Sequence, residues 1–323
     1  MRGALRSRGW QSAEHKRMRS NDTLMETKML SLHGVFPPIP TPFDERGDLA
    51  LGALAENLGR WNEYDLSGYV VLGSNGEGVY LTTEEKVKVW QTVRRAVPED
   101  KLVIAGTGCE STRQTIAVSQ LAADAGADVV LVLTPHYYGG KMSPGALRRH
   151  FEAVAEKVPV PVMIYNMPRF THIDMSAETI LDIGRHPNVV GLKDSGGNVG
   201  KLAEIVGAAE DDLQVLAGSA SFFFPGLAVG AVGGVMALAN VAPQMLIDLY
   251  HHYRREEWRE GAILQQRLVP LNTAVTSGFG VPGLKAALDF LGYYGGPVRS
   301  PLRTLHDAEL ETIEAIMVQA GVL

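Results

Sequence analysis

Lys193 closes an apolar run, Val189-Val190-Gly191-Leu192-Lys193, and is followed by Asp194-Ser195. A cation at the end of a buried strand is costly unless it is paired or gives up its proton. A desolvated lysine that loses its proton is a nucleophilic amine, and such amines form Schiff bases with carbonyl compounds. A second apolar run ends on Tyr165, whose phenol can donate and accept a proton in turn. A third ends in Gly73-Ser74-Asn75-Gly76-Glu77, a glycine turn offering N–H and hydroxyl donors to a small carboxylate. Amine, phenol and anion-binding turn together point to amine catalysis on a 2-oxo acid. The carboxylate pair of a glycosidase and the His and acidic spacings of a metal site are missing from these run ends.

These residues need a scaffold that brings run ends together. From Gly34 onward a short β-branched run alternates with an amphipathic stretch. The runs are Gly34–Pro42, Gly68–Gly73, Leu102–Gly108, Asp128–Thr134, Val160–Asn166, Val189–Lys193, Leu213–Gly218 and Gly233–Leu238. Helical patterns lie between them, as at Thr82–Ala96, Ser111–Ala125, Ser143–Lys157 and Ser176–Arg185. Ser111, Ser143 and Ser176 are good N-caps. Apolar strands alternating with helices predict a parallel sheet covered by helices. Eight such units match an α/β fold of the (β/α)8 TIM-barrel kind, in which the C-terminal strand ends form the site. An open doubly wound sheet would carry a glycine-rich phosphate loop after strand 1, where this chain has Pro40-Thr41-Pro42-Phe43. The pattern assigns residues 33–255 to the barrel. Residues 256–323 are assigned to a small C-terminal helical subdomain, with helical patterns at Tyr250–Leu271 and His306–Gln319.

The chain has 323 residues, 46% hydrophobic and 20% charged, with a net charge of −6. That charge offers no basic footprint for nucleic acid or an anionic membrane, and Gly, Pro or charge interrupts every apolar run before it could span a bilayer. A single cysteine, Cys109, excludes an intramolecular disulfide and fits a reducing compartment such as the cytoplasm. Residues 1–32 read as a leader or an extension. Their first twenty carry Arg2, Arg6, Arg8, Lys16, Arg17 and Arg19 against Glu14, so a mitochondrial transit peptide, and with it the matrix, is the alternative.

The strand-end motifs resemble the dihydrodipicolinate synthase/N-acetylneuraminate lyase family. The resemblance rests on Gly-Ser-Asn-Gly-Glu from Gly73, Tyr165-Asn166-x-Pro168, and Gly191-x-Lys193-Asp194-Ser195, and runs from Gly34 to about Leu302. Within the family the chain is most similar to 4-hydroxy-2-oxoglutarate aldolase, through Gly108–Thr112, Gly191–Gly197, Gly230–Val235, Phe279–Lys285 and Gly292–Pro297. The last two segments are expected to lie outside the active site.

The resemblance implies a class I aldolase that needs no cofactor beyond a covalent lysine imine with its substrate, and no metal. It implies Lys193 as the imine lysine and Tyr165 as the acid/base. Ser74, Asn75 and Gly76 would hold the substrate carboxylate, and Ser195, Gly218 and Phe170 would line the pocket. Tyr138, with Tyr137 beside it, would be lent to a neighbouring subunit's site in a homotetramer or dimer of dimers. The synthase branch departs from this chain in two ways. It carries Thr-Thr where Ser74-Asn75 stand. It also places a carboxylate-binding arginine where Phe170 stands, with Arg169 one residue earlier. A one-residue shift is expected to point Arg169 elsewhere. The reading is therefore a lyase that cleaves a hydroxylated 2-oxo acid to pyruvate and an aldehyde. Alternatives are a 2-oxo-3-deoxy sugar acid aldolase or dehydratase, then dihydrodipicolinate synthesis, and last a non-enzymatic 2-oxo acid sensor.

Overall fold

The computed structural model describes residues 30–209 and 213–323. The leader assigned to residues 1–32 therefore lies, up to residue 29, outside the described residues. Eight strands form one parallel sheet: β1 (Gly34–Phe36), β2 (Gly68–Val71), β3 (Leu102–Gly106), β4 (Val129–Leu133), β5 (Val162–Asn166), β6 (Val189–Asp194), β7 (Gln214–Ala217) and β8 (Gly233–Val235). Each strand pairs with its sequence neighbour from β2 to β8, and β8 pairs with β1. The seam between β1 and β2 closes through Ser67 N–H to Val35 O (3.1 Å), Val70 N–H to Pro37 O (3.0 Å) and Ile39 N–H to Val70 O (3.0 Å). This is the TIM barrel expected from the alternation of runs.

The helices are α1 (Leu51–Trp61), α2 (Thr83–Ala96), α3 (Thr112–Asp124), α4 (Pro144–Ala155), the single turn α5 (Pro168–Thr171), α6 (Ala177–Gly184), α7 (Val199–Ala208), α8 (Phe223–Ala228), α9 (Pro243–Arg254), α10 (Trp258–Thr273), α11 (Gly280–Phe290) and α12 (Asp307–Ala320). Ser111, Ser143 and Ser176 cap α3, α4 and α6 by accepting the N–H three residues on. Thr82 and Glu85 form a reciprocal capping box at α2. Apolar side chains of the strands and of the inner helix faces, among them Val71, Val103, Val130, Ile164 and Leu192, form one continuous core.

Three elements differ from the sequence expectation. Strand 1 stops at Phe36 rather than Pro42, because Pro37, Pro38, Pro40 and Pro42 have no N–H to donate to a ladder. Strand 8 stops at Val235, and residues Ala237–Asn240 wind into a 3₁₀ turn. The helical pattern Tyr250–Leu271 is two helices, interrupted between Arg254 and Trp258, where Glu256 adopts φ +58°. A left-handed residue ends a helix.

Candidate active site

β5 and β6 place Tyr165 and Lys193 side by side in register. Side chains alternate along a strand, so neighbours in register share a face, here the barrel interior. The Lys193 Nζ lies 4.0 Å from the centre of the Tyr165 ring. Both residues are buried, at 3% and 4% exposure. Lys193 makes no hydrogen bond or ion pair with any described residue. The Tyr165 hydroxyl is 3.3 Å from Ser74 Oγ. Amine, phenol and the strand-2 turn thus meet across the barrel.

They line a cavity of about 300 Å³ together with Asn75, Phe170, Ser195 and Gly218. The charged residues lining it are Lys193 and Arg169, among the described residues, so its wall carries cations and no carboxylate. Such a wall suits an anionic ligand and leaves an unpaired amine free to react. Arg169 corrects the sequence expectation. Arg169, an exposed residue of the single turn α5, is among those lining the cavity, and its guanidinium donates one hydrogen bond, to Ser277 O at 3.0 Å. An adjoining space of about 530 Å³ shares Ser74, Arg169 and Phe170 with the cavity and leads outward.

A buried polar network fixes the ends of β5 and β6. Asp194, fully buried, accepts Asn166 Nδ2 at 2.8 Å and the Gly196 N–H at 2.8 Å, and lies 3.2 Å from Lys201 Nζ. Asn166 also donates to Asp174 (2.8 Å), and Lys201 pairs with the same Asp174. The Asp174 carboxyl is held below its usual range by these hydrogen bonds, against the opposing effect of burial. Ser195 N–H donates to Asn166 O at 2.9 Å, and Gly218 N–H to Asp194 O at 2.7 Å. A Cβ on Gly218 would stand 2.6 Å from the Asp194 carbonyl oxygen, so only glycine fits beside the lysine's strand.

The strand-2 motif forms a 3₁₀ turn, Ser74–Gly76. Gly76 is buried behind the turn and does not line the cavity; its carbonyl accepts Thr41 Oγ1 at 2.7 Å. Tyr137 and Tyr138 pack edge to face on one another and stand 78% and 71% exposed, outside the cavity of their own chain. Cys109 lies outside it too, and burial pushes its thiol up.

Sequence reasoning missed the wall opposite the strands. Asn272, Thr273, Thr276 and Ser277, from the end of α10 and the π-turn Ala274–Gly278, line the cavity with Gly280 and Val281. The signal was a run of small polar residues closing a helical pattern. The segment Phe279–Lys285, placed outside the active site by sequence, thus borders it.

The comparisons with known proteins agree with the fold. Residues 31–320 match the model of the dihydrodipicolinate synthetase family. The chain is 38% identical over 294 residues to an uncharacterised DapA-like lyase of Halobacterium salinarum, covering 91% of this chain and 96% of that one. It is 32% identical over 291 residues to a 4-hydroxy-tetrahydrodipicolinate synthase of Methanoculleus marisnigri, covering 89% of this chain and 99% of the relative. Among solved structures it superposes on a dihydrodipicolinate synthase of Bacillus anthracis with a TM-score of 0.86 at 30% identity, over 90% of this chain and 99% of that one. It also superposes on the Acinetobacter baumannii enzyme complexed with pyruvate, with a TM-score of 0.86 at 27% identity, over 91% of this chain and 100% of that one. The chain belongs to the dihydrodipicolinate synthetase family, a family of TIM-barrel carbon–carbon lyases.

Proposed function

We propose that the protein is a class I aldolase that cleaves a hydroxylated 2-oxo acid to pyruvate and an aldehyde, with a 4-hydroxy-2-oxoglutarate-like dicarboxylate as substrate. The observation that carries the reading is the Lys193 amine lying unpaired against the Tyr165 ring in a cavity whose wall bears no carboxylate. The solved relative from A. baumannii is complexed with pyruvate.

The Lys193 amine adds to the C2 carbonyl, and water leaves to give an iminium. The Tyr165 phenol gives its proton to the departing C2 hydroxyl and so becomes the base that takes the C4 hydroxyl proton, and the C3–C4 bond then breaks with its electron pair flowing into the iminium. The aldehyde departs, leaving an enamine. Tyr165 returns the proton to C3, and water then releases pyruvate and the free lysine. Ser74, 3.3 Å from the phenol, orients it, and Ser74 and Asn75 hold the C1 carboxylate. Arg169 takes the distal carboxylate, since its remaining N–H donors form a fork matched to one. Phe170, Ser195 and Gly218 shape the pocket.

The exposed Tyr137 and Tyr138 supply a neighbouring subunit's site in a homotetramer or dimer of dimers; one solved relative is a monomeric dihydrodipicolinate synthase variant. Residues 33–255 are the catalytic barrel and 256–323 its helical appendage. No helix among the described residues is long and apolar enough to cross a membrane, and a chain with one cysteine suits the cytoplasm.

A second reading, a 2-oxo-3-deoxy sugar acid aldolase or dehydratase, is favoured by the hydroxyl-bearing wall of Ser219, Ser221, Thr276 and Ser277. A screen for pyruvate release, read with lactate dehydrogenase, tests both readings against the synthase chemistry named for the relatives. The proposal expects the highest kcat/KM with a hydroxylated 2-oxo dicarboxylate. Pyruvate release only from sugar acids moves the assignment to the second reading. A product with its carbon chain intact marks dehydration.

A further inference from the structure

Glu77 closes the strand-2 turn, and its carboxylate is buried against Lys285 of α11. Their Oε1 and Nζ atoms lie 2.6 Å apart, and each side chain is 1% exposed. The other carboxylate oxygen accepts the Arg299 N–H at 2.9 Å. Lys285 also donates to Pro297 O at 2.8 Å and stands 4.5 Å from the Phe43 ring centre. The Arg299 guanidinium grips both oxygens of Glu85 at 2.8 and 2.7 Å. Two C-terminal cations thus fasten residues 285–299 to the segment leaving β2. A site serving packing alone would favour apolar side chains, since removing two charges from water is costly.

The pinned residue is conformationally special. Glu77 adopts φ +52°, a left-handed backbone that non-glycine residues seldom take, and its N–H returns to Ser74 O at 3.3 Å. Its side chain and backbone therefore fix the last peptide of the Ser74–Gly76 turn. Neither Glu77 nor Lys285 lines the cavity around Lys193. We propose that Lys285 is a positioning residue: through Glu77 it holds the turn in the shape that accepts the substrate carboxylate. The C-terminal helices thereby take part in substrate binding without touching substrate. The inference rests on the reading that Ser74 and Asn75 hold that carboxylate.

The test traps pyruvate on the full chain with cyanoborohydride and measures the half-saturating pyruvate concentration and the limiting trapping rate. Melting temperature and near-ultraviolet circular dichroism are followed in parallel. Lys285→Met alone strands a buried carboxylate, so the main variant is E77Q/K285M, which leaves no unpaired buried charge; Glu77→Gln alone, which leaves the Lys285 ammonium only its hydrogen bond to Pro297 O, is the second. The expected result is a half-saturation raised about tenfold or more, with the limiting rate within about threefold of wild type. A purely structural role would move the melting temperature and leave half-saturation alone. A folded E77Q/K285M protein, or a folded Glu77→Gln protein, with wild-type half-saturation overturns the inference. Ser74→Ala and Asn75→Ala separate the two levels. If both raise half-saturation while the Glu77 variants do not, the positioning role falls alone. If neither raises it, the turn is not the carboxylate site and both readings fall.

Discussion

The Lys193 Nζ sits 4.0 Å from the centre of the Tyr165 ring, on neighbouring strands in register. The ring meets Nζ with its face. The phenol oxygen is turned to Ser74 instead. One side chain thus covers Nζ with its ring and turns its hydroxyl to the strand-2 turn.

That division of roles separates two effects of one substitution. Tyr165→Phe keeps the ring beneath Lys193 and removes the proton carrier. Turnover should fall by about 10²–10⁴-fold, the usual worth of a positioned acid/base, while a pyruvate adduct still forms on Lys193. Steady-state kinetics together with intact-protein mass spectrometry read both. Unchanged turnover would remove Tyr165 from proton transfer.

Arg169→Ala tests the distal half of the substrate. A charge-assisted pairing lost at the mouth should cost about 2–3 kcal/mol in kcat/KM for a hydroxylated 2-oxo dicarboxylate. Monocarboxylic hydroxy-oxo acids should be cleaved as before. An equal loss for both classes would show that the guanidinium shapes the mouth through Ser277 and does not read charge.

Tyr138→Phe and Tyr138→Ala address the neighbouring subunit's site. An exposed side chain outside its own cavity should matter little to a monomer. If it completes a neighbour's site, Tyr138→Ala lowers kcat at least about tenfold with the melting temperature unchanged. Sedimentation should then show an oligomer. A monomer with full activity would contradict the shared site.

His150 sets a pH-dependent part of stability. It lies on the buried face of α4 with Nδ1 2.9 Å from Thr112 Oγ1, and burial pushes its imidazolium down to about 4 from 6.5. Between those values the unfolded chain holds a proton that the folded chain refuses. Stability therefore falls as pH drops through that window, by up to about 3 kcal/mol. Urea unfolding of wild type and His150→Gln at pH 7 and pH 4 should show the gap between them shrinking or reversing in acid. A gap independent of pH would exclude the imidazole as its source.

The strand-end chemistry was readable because each group closes a distinct apolar run: Lys193 after Val189–Leu192, Tyr165 after Val162–Ile164. Barrel topology then brings those ends together without any further information. The far wall was not readable in the same way. Asn272 and Thr276 reach the cavity from a helix and a π-turn beyond the last strand, where no periodicity marks a site. Lys285 was hidden for a related reason: its partner Glu77 lies far away in sequence, so nothing local marks the buried pair. The place of Arg169 beside the cavity was not readable either, because register in a loop depends on how the first turn after Pro168 winds, which spacing alone does not reveal.

The mechanism stands on Lys193 as the imine-forming amine. Incubation with pyruvate and borohydride, followed by peptide mass mapping, tests it directly. One reduced pyruvyl group should appear on Lys193, activity should be lost in proportion, and Lys193→Arg should show neither adduct nor turnover. An unmodified Lys193, or an active Lys193→Arg protein, would contradict the account.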